Sequence, residues 1–313
     1  MLKYLIFSHI YNKQIIRRYD DDHILHYYSY KDFPSLEARP MEFINKDGYK
    51  IKGYFYSYPN YKKDHLVIFC HGLGGGHRSY MKEIELLAKE GYEVLSYDYL
   101  GCFESEGKSI KGFTESIVTL NTLLNYLKDS GYTKDKKVSL VGHSWGGYTV
   151  SNILNYYKDI YSISVISGFT SIKSFAKELM PKFQKEFYKC EKKINPSIVD
   201  SSSIDAFKNT STHVLIIHSK DDKMVPITFG ADELKENINN PNVKYLIVDN
   251  KSHNPNYTIE AVKYLNECQA LYKQNVKKLK TLEEKKEFGD KFDYDKMTEQ
   301  DLSVWNEIFK NLK

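Results

Sequence analysis

The chain has 313 residues, 41% of them hydrophobic, enough for one large domain with decorations. Lys and Arg total 45 against 41 Asp and Glu, and the resulting net charge of +4 is too small an excess to argue for nucleic acid. The four cysteines, at 70, 102, 190 and 268, have neither metal-ligand nor redox spacing; scattered single thiols suit a reducing compartment, and a cytoplasmic location is expected.

Residues 1–38 read as an aromatic-rich leader of helical and irregular structure. Its start, MLKYLIFSHIYNK, is too short to span a bilayer and shows no cleavage site. Leu2, Leu5, Ile6 and Ile10 share one helical face, which reads as a packed amphipathic helix and argues against a membrane partner. MEFINKDGYKIKGYFYSY alternates apolar and polar residues on both sides of Asp47-Gly48, a hairpin signal. HLVIFC (65–70), EVLSYDY (93–99), KVSLVG (137–142), SISVIS (162–167), HVLIIH (213–218) and KYLIVD (244–249) read as buried strands. Helical patterns fall over 78–90, 112–129, from Ser144 to about 158, 227–238 and 256–275.

Strands alternating with helices predict an α/β fold: a mostly parallel central sheet of about eight strands, helices on both faces. The body spans 39–275. Residues 169–211 separate two strands by more than one helix requires and read as a small helical cap insertion, with Phe175, Leu179, Met180, Phe183 and Phe187 near helical spacing. Residues 276–313 form a helical extension. Thr298 is placed to cap its last helix, whose apolar stripe of Leu302, Trp305, Ile308, Phe309 and Leu312 suits docking on its own domain or on a second copy as a homodimer.

Gly-His-Ser-Trp-Gly-Gly, residues 142–147, stands between a strand and a helix. That is the arrangement of a nucleophile elbow, in which glycines make room for a turn that pushes one hydroxyl, here Ser144, out at the carboxyl end of the sheet. The chain resembles the α/β-hydrolase superfamily over roughly residues 40–270, and within it the bacterial serine hydrolases grouped with esterases, lysophospholipase-like enzymes and S33-type peptidases. The resemblance implies a Ser-acid-His order along the chain. The base is then His253 in DNKSHNP, directly after the last strand. The acid is Asp222 in HSKDDKMVP, three residues before Val225-Pro226, with Asp221 as the alternative; Ser219 stands where relatives often carry glycine. HGLGGG (71–76) resembles the oxyanion loop, so that the backbone N–H groups of Leu73 and Trp145 form the oxyanion hole. Asp98, Gly101, Ser105 and Gly107 match a further family loop expected to brace the site, with Leu100 where relatives commonly have arginine.

Gly74, His143, Phe175 and Met180 are candidates for the substrate pocket. His213 and His218 read as packing or capping a strand. No His/Asp/Glu set shows metal-ligand spacing, and acyl transfer through such a triad requires no cofactor. The expected function is hydrolysis of carboxylic esters with small to medium acyl groups, the partner being the small-molecule acyl substrate. An amidase or aminopeptidase, and a catalytically silent binding protein, are the alternatives.

Overall fold

The computed structural model describes residues 2–20 and 27–313; residues 21–26 of the leader lie outside the described residues. Eight strands form one sheet: β1 (Glu37–Ile44), β2 (Lys50–Ser57), β3 (Lys62–Cys70), β4 (Tyr92–Tyr97), β5 (Lys137–His143), β6 (Ser162–Ile166), β7 (His213–Ser219) and β8 (Val243–Val248). Their order is β1-β2-β4-β3-β5-β6-β7-β8. The β1–β2 hairpin is antiparallel, β2 pairs antiparallel to β4, and every later pairing is parallel. The continuous apolar runs are the central strands: β4 and β6 are buried throughout, β3 from His65 onward and β5 from Val138 onward. Such strands need helices on both faces.

The helices are α1 (Leu2–Ile10), α2 (Met81–Lys89), α3 (Glu115–Asp129), α4 (Trp145–Asn152), α5 (Ile172–Leu179), α6 (Gln184–Ile194), α7 (Ser203–Phe207), α8 (Ala231–Asn237), α9 (Ile259–Asn275), α10 (Leu282–Gly289), α11 (Tyr294–Met297) and α12 (Leu302–Leu312). The helix after Ser144 is shorter than its pattern suggests and tightens into a 3₁₀ turn at Ile153–Asn155. The cap insertion is two main helices rather than one, because Pro181 cannot continue α5.

Two expectations about the ends need correction. Phe7, not the Leu2–Ile10 stripe, docks α1: its ring lies 5.2 Å from that of Phe183, and Tyr11 meets Phe187 edge-on at 5.4 Å. Leu2, Leu5, Ile6 and Ile10 are 71%, 55%, 52% and 44% exposed. At the other end Asp301, not Thr298, caps α12, accepting from the Ser303 amide at 2.8 Å. Trp305, Ile308 and Leu312 of α12 are fully buried on the chain's own body, beside Val67, Val141 and Ile217, although Leu302 stays exposed. No helix among the described residues is long and apolar enough to cross a membrane, and all four cysteines are buried and free.

The cap is fastened to the body by polar contacts in the interior. The buried Glu191 carboxylate on α6 accepts from the amides of Phe113 at 2.8 Å and Thr114 at 3.3 Å, from the Thr114 hydroxyl at 2.9 Å and from the Tyr11 hydroxyl. Beside it Asn195 bridges Thr114 and Glu115 at 3.2 and 3.3 Å. Glu115 Oε1 has no partner among the described residues, and burial pushes its carboxyl up to about 7. The folded protein therefore keeps a proton on Glu115 between the ordinary value of 4.5 and about 7, where the unfolded chain has lost it, so this group's contribution to stability falls as pH rises through that window. Glu115→Gln is expected to raise the urea midpoint at about pH 8, with the gain shrinking towards about pH 5.

Candidate active site

Ser144 sits where β5 ends and α4 begins, with φ 57° and ψ −114°. That region is costly for a side chain-bearing residue and persists only where the surroundings enforce it. Here they do. A Cβ on Gly142 would lie 2.3 Å from the Gly146 carbonyl oxygen, one on Gly146 would lie 2.0 Å from that of Cys70, and one on Gly147 would lie 2.8 Å from Gly168 Cα. The three glycines let β5, α4 and β3 approach until the turn has no other shape. The Ser144 amide donates to the Ile166 carbonyl at 2.8 Å, which ties the turn to β6.

Asp222 follows β7 and His253 follows β8. His253 Nδ1 donates to Asp222 Oδ2 at 2.7 Å, and both residues are buried. Asp222 Oδ1 accepts the amides of Met224 at 2.8 Å and Val225 at 2.9 Å. Burial alone would raise the Asp222 pKa, but the adjacent His218 ring, the hydrogen bond from His253 and that from the Val225 amide outweigh it and hold the carboxyl well below its usual range. His253 Nε2 is buried and has no hydrogen-bond partner among the described residues. His253 lines a cavity of ≈ 480 Å³ that Ser144 also lines, together with Gly72, Leu73, Tyr80, His143 and Lys223.

Asp221, the alternative acid, is directed elsewhere. Its Oδ1 accepts the Ser219 hydroxyl at 2.5 Å and the amides of Lys251 and Ser252 at 3.2 Å. It thus clamps the loop that carries His253, where Asn250 and Ser252 have φ of 62° and 48°. His218 does more than pack its strand: Nε2 donates to the Val225 carbonyl at 2.8 Å and stands 3.5 Å behind Asp222 Oδ2.

On the other side of the cavity the 71–76 loop is braced by Asp98, which accepts from the His77 amide at 2.7 Å, from His77 Nδ1 at 2.9 Å and from the Glu104 amide at 3.0 Å. His71 is locked as a neutral ring, Nδ1 donating to the Gly72 carbonyl at 2.8 Å and Nε2 accepting the Tyr99 amide at 3.1 Å; burial brings its pKa down to about 4. Neither the Leu73 nor the Trp145 amide donates to a partner among the described residues, and both adjoin Ser144, one through Gly72 and one in sequence.

One chain of hydrogen bonds crosses the site. The Gly72 amide donates to Tyr80 Oη at 3.0 Å, Tyr80 Oη donates to His143 Nδ1 at 2.9 Å, and His143 Nε2 donates to the His253 carbonyl at 2.8 Å. The carbonyl end, which can only accept, fixes every donor in the series. Burial and the adjacent His253 bring the His143 pKa down to about 3, so the ring stays neutral.

The pocket candidates separate. His143 lines the cavity. Gly74 lines the next space along the cleft. Phe175 and Met180 do not line the cavity: Phe175 is buried among Phe113, Phe169 and Phe187, and Met180 packs against the same core. The wall comes instead from α9, through Val262, Leu265, Asn266 and Gln269, whose i, i+3, i+4, i+7 spacing is a helical face visible in the sequence. Past Leu73, Tyr80 and Leu265 the cleft continues into a second space of ≈ 350 Å³, where Tyr27 and Tyr28 of the leader meet Tyr294 and Met297 of the extension. No group of three or more metal-binding side chains occurs among the described residues.

A family model for the alpha/beta hydrolase fold matches residues 65–189, the stretch that runs from β3 through the elbow into the cap. The chain has the α/β-hydrolase fold. It is 26% identical over 181 residues to a lysophosphatidylserine lipase, ABHD12, of Danio rerio, an alignment covering 53% of this chain and 45% of that one. It is 31% identical over 121 residues to a proline iminopeptidase of Lactobacillus helveticus, covering 38% and 40%. The chain thus spans less than half the length of these curated relatives. The Pyrococcus furiosus esterase Pf2001 superposes with a TM-score of 0.58 at 22% identity, over 84% of this chain and 97% of that one, which speaks to the shared α/β-hydrolase fold.

Tyr80→Phe would strip the acceptor from the Gly72 amide and the donor from His143 Nδ1. It is expected to cost about 1–3 kcal/mol in urea denaturation, with an unchanged far-UV circular dichroism spectrum.

Proposed function

We propose that the protein is a serine hydrolase that cleaves carboxylic esters of small to medium acyl groups through an acyl-enzyme. One observation carries this reading: a buried imidazole held on one nitrogen by a carboxylate at 2.7 Å, its other nitrogen without a partner among the described residues, on a residue that lines the same cavity as a strained serine. His253 Nε2 removes the Ser144 proton as Oγ attacks the acyl carbonyl. Asp222 keeps the proton of Nδ1 in place and stabilises the imidazolium that forms. The Leu73 and Trp145 amides donate hydrogen bonds to the developing oxyanion, aided by the N-terminus of α4. His253 then protonates the leaving oxygen, and water, deprotonated by the same ring, releases the acid.

The size of the cleft supports the acyl range. The cavity at Ser144 holds ≈ 480 Å³ and the second space ≈ 350 Å³, each within the span of small-molecule sites. The esterase fold neighbour and the lipase relative favour ester bonds. The proline iminopeptidase relative supports a second reading, hydrolysis of an amide or peptide bond by the same groups. A matched pair of p-nitrophenyl ester and p-nitroanilide separates the two readings, with turnover of the ester alone expected.

Wild-type protein is expected to react with a fluorophosphonate probe at Ser144 and to hydrolyse p-nitrophenyl butyrate. Ser144→Ala should abolish labelling with little loss of stability, and both it and Asp222→Asn should lower kcat by about 1,000-fold or more, Asp222→Asn also lowering stability at neutral pH because a buried carboxylate held below its usual pKa is lost. A folded wild-type protein that neither labels nor turns over any ester of a chain-length panel would favour the silent binding reading.

A further inference from the structure

The helix at the start of the chain is apolar on two sides, and only one of them is used. Phe7 and Tyr11 pack on α6, while Leu2, Leu5, Ile6 and Ile10 project away from the body at 44–71% exposure. Phe183, stacked on Phe7, is itself 37% exposed, and Leu179 at the end of α5 is 39% exposed. Six large apolar side chains on adjoining elements are thus left in water, where a contiguous apolar surface marks an interaction site.

The charge around this surface is predominantly positive. Residues 2–13 contain Lys3 and Lys13 and no acid. Residues 182–193 contain Lys182, Lys185, Lys189, Lys192 and Lys193 against Glu186 and Glu191. Glu191 is buried beneath the cap, and Glu186 is engaged by Lys3 at 3.5 Å. Seven lysines therefore stand in these two stretches against the part-buried Glu186, and the neighbouring end of α5 adds exposed Lys177 and Glu178, on a chain whose whole net charge is only +4. Lys3 also donates to the Lys182 carbonyl at 2.6 Å, which fixes the two elements to one another.

We propose that α1 and the adjoining α5–α6 turn dock on an anionic lipid surface, the apolar stripe entering the acyl boundary and the lysines meeting phosphate headgroups. An interfacial helix combines these two features, an apolar face and a basic rim. Each lysine near an anionic leaflet adds about 1 kcal/mol of attraction, and that part is screened by salt. A second copy of the chain is the poorer occupant, because a two-fold contact through this patch would set the two basic rims against each other. The docking is independent of the Ser144 chemistry.

The test is sedimentation of the full chain with vesicles of phosphatidylcholine alone and with phosphatidylcholine containing phosphatidylglycerol, at low and high salt. Pelleting with the anionic vesicles at low salt is expected, falling about tenfold or more with neutral vesicles or high salt. Leu5→Ser with Ile6→Ser, and separately Lys182→Glu with Lys185→Glu, should each abolish it while the thermal melt stays at the wild-type position, since all four side chains are exposed. Absence of pelleting with anionic vesicles overturns the proposal, as does wild-type pelleting by either variant. Equal pelleting with neutral vesicles overturns the headgroup role. A dimer in sedimentation velocity that the Leu5→Ser, Ile6→Ser variant dissociates, without vesicle binding, assigns the patch to self-association instead.

Discussion

The structure hangs on how closely one strand-to-helix turn can be pressed against its neighbours. A methyl group on Gly146 would fall 2.0 Å from a backbone oxygen of β3, and one on Gly142 would fall 2.3 Å from the backbone of α4. Because nothing but backbone occupies those gaps, Ser144 has a single conformation available and a fixed position above the sheet. The sheet supplies the rest of the frame. β7 and β8 run parallel to β5, so the loops that leave them emerge on the same side, bringing Asp222 and His253 to the serine from residues far away in sequence.

Around that frame the polar groups act mainly on loops. Asp221 and Ser219 hold the backbone of residues 251–252. Asp98 holds the 71–76 loop, and Tyr80 with His143 joins that loop to the backbone of His253. Most of these bonds reach main-chain groups, and where they are buried, leaving one unmade strands a desolvated partner. The two sides of the cavity are thus braced to each other as well as to the sheet beneath them.

Much of this was legible in the sequence, for a physical reason. Continuous apolar runs mark strands buried on both faces, and the spacing of Gly142, Ser144 and Gly146 records a steric demand that other residues cannot meet. The chain order that the family resemblance implies points to His253, the register before Val225-Pro226 points to Asp222, and the two side chains meet at 2.7 Å. What the sequence concealed was direction. The stripe of Leu2, Leu5, Ile6 and Ile10 has helical spacing whether it faces the core or the solvent, and here Phe7 on the other side does the packing. Phe175 and Met180 looked like pocket wall because aromatic and Met side chains suit a core and a ligand equally; they joined the core. Val262, Leu265, Asn266 and Gln269 mix polar with apolar side chains, so their shared face did not stand out although the spacing was present. Asp221 and Asp222 are adjacent and chemically identical, and only the fold sends them to different partners.

The C-terminal extension reaches back to the loop after β8. The Asp301 amide donates to the Asn256 carbonyl at 2.8 Å, the Thr258 amide to the Glu299 carbonyl at 3.0 Å, and the Lys251 ammonium joins the Asp301 carboxylate. Residues 299–301 follow His253 by a long interval that includes α9, α10 and α11. During synthesis the sheet, the elbow and the histidine itself can all leave the ribosome before the segment that completes their bracing exists. The order of translation therefore makes the setting of this loop follow the making of the sheet, the elbow and the histidine that it carries.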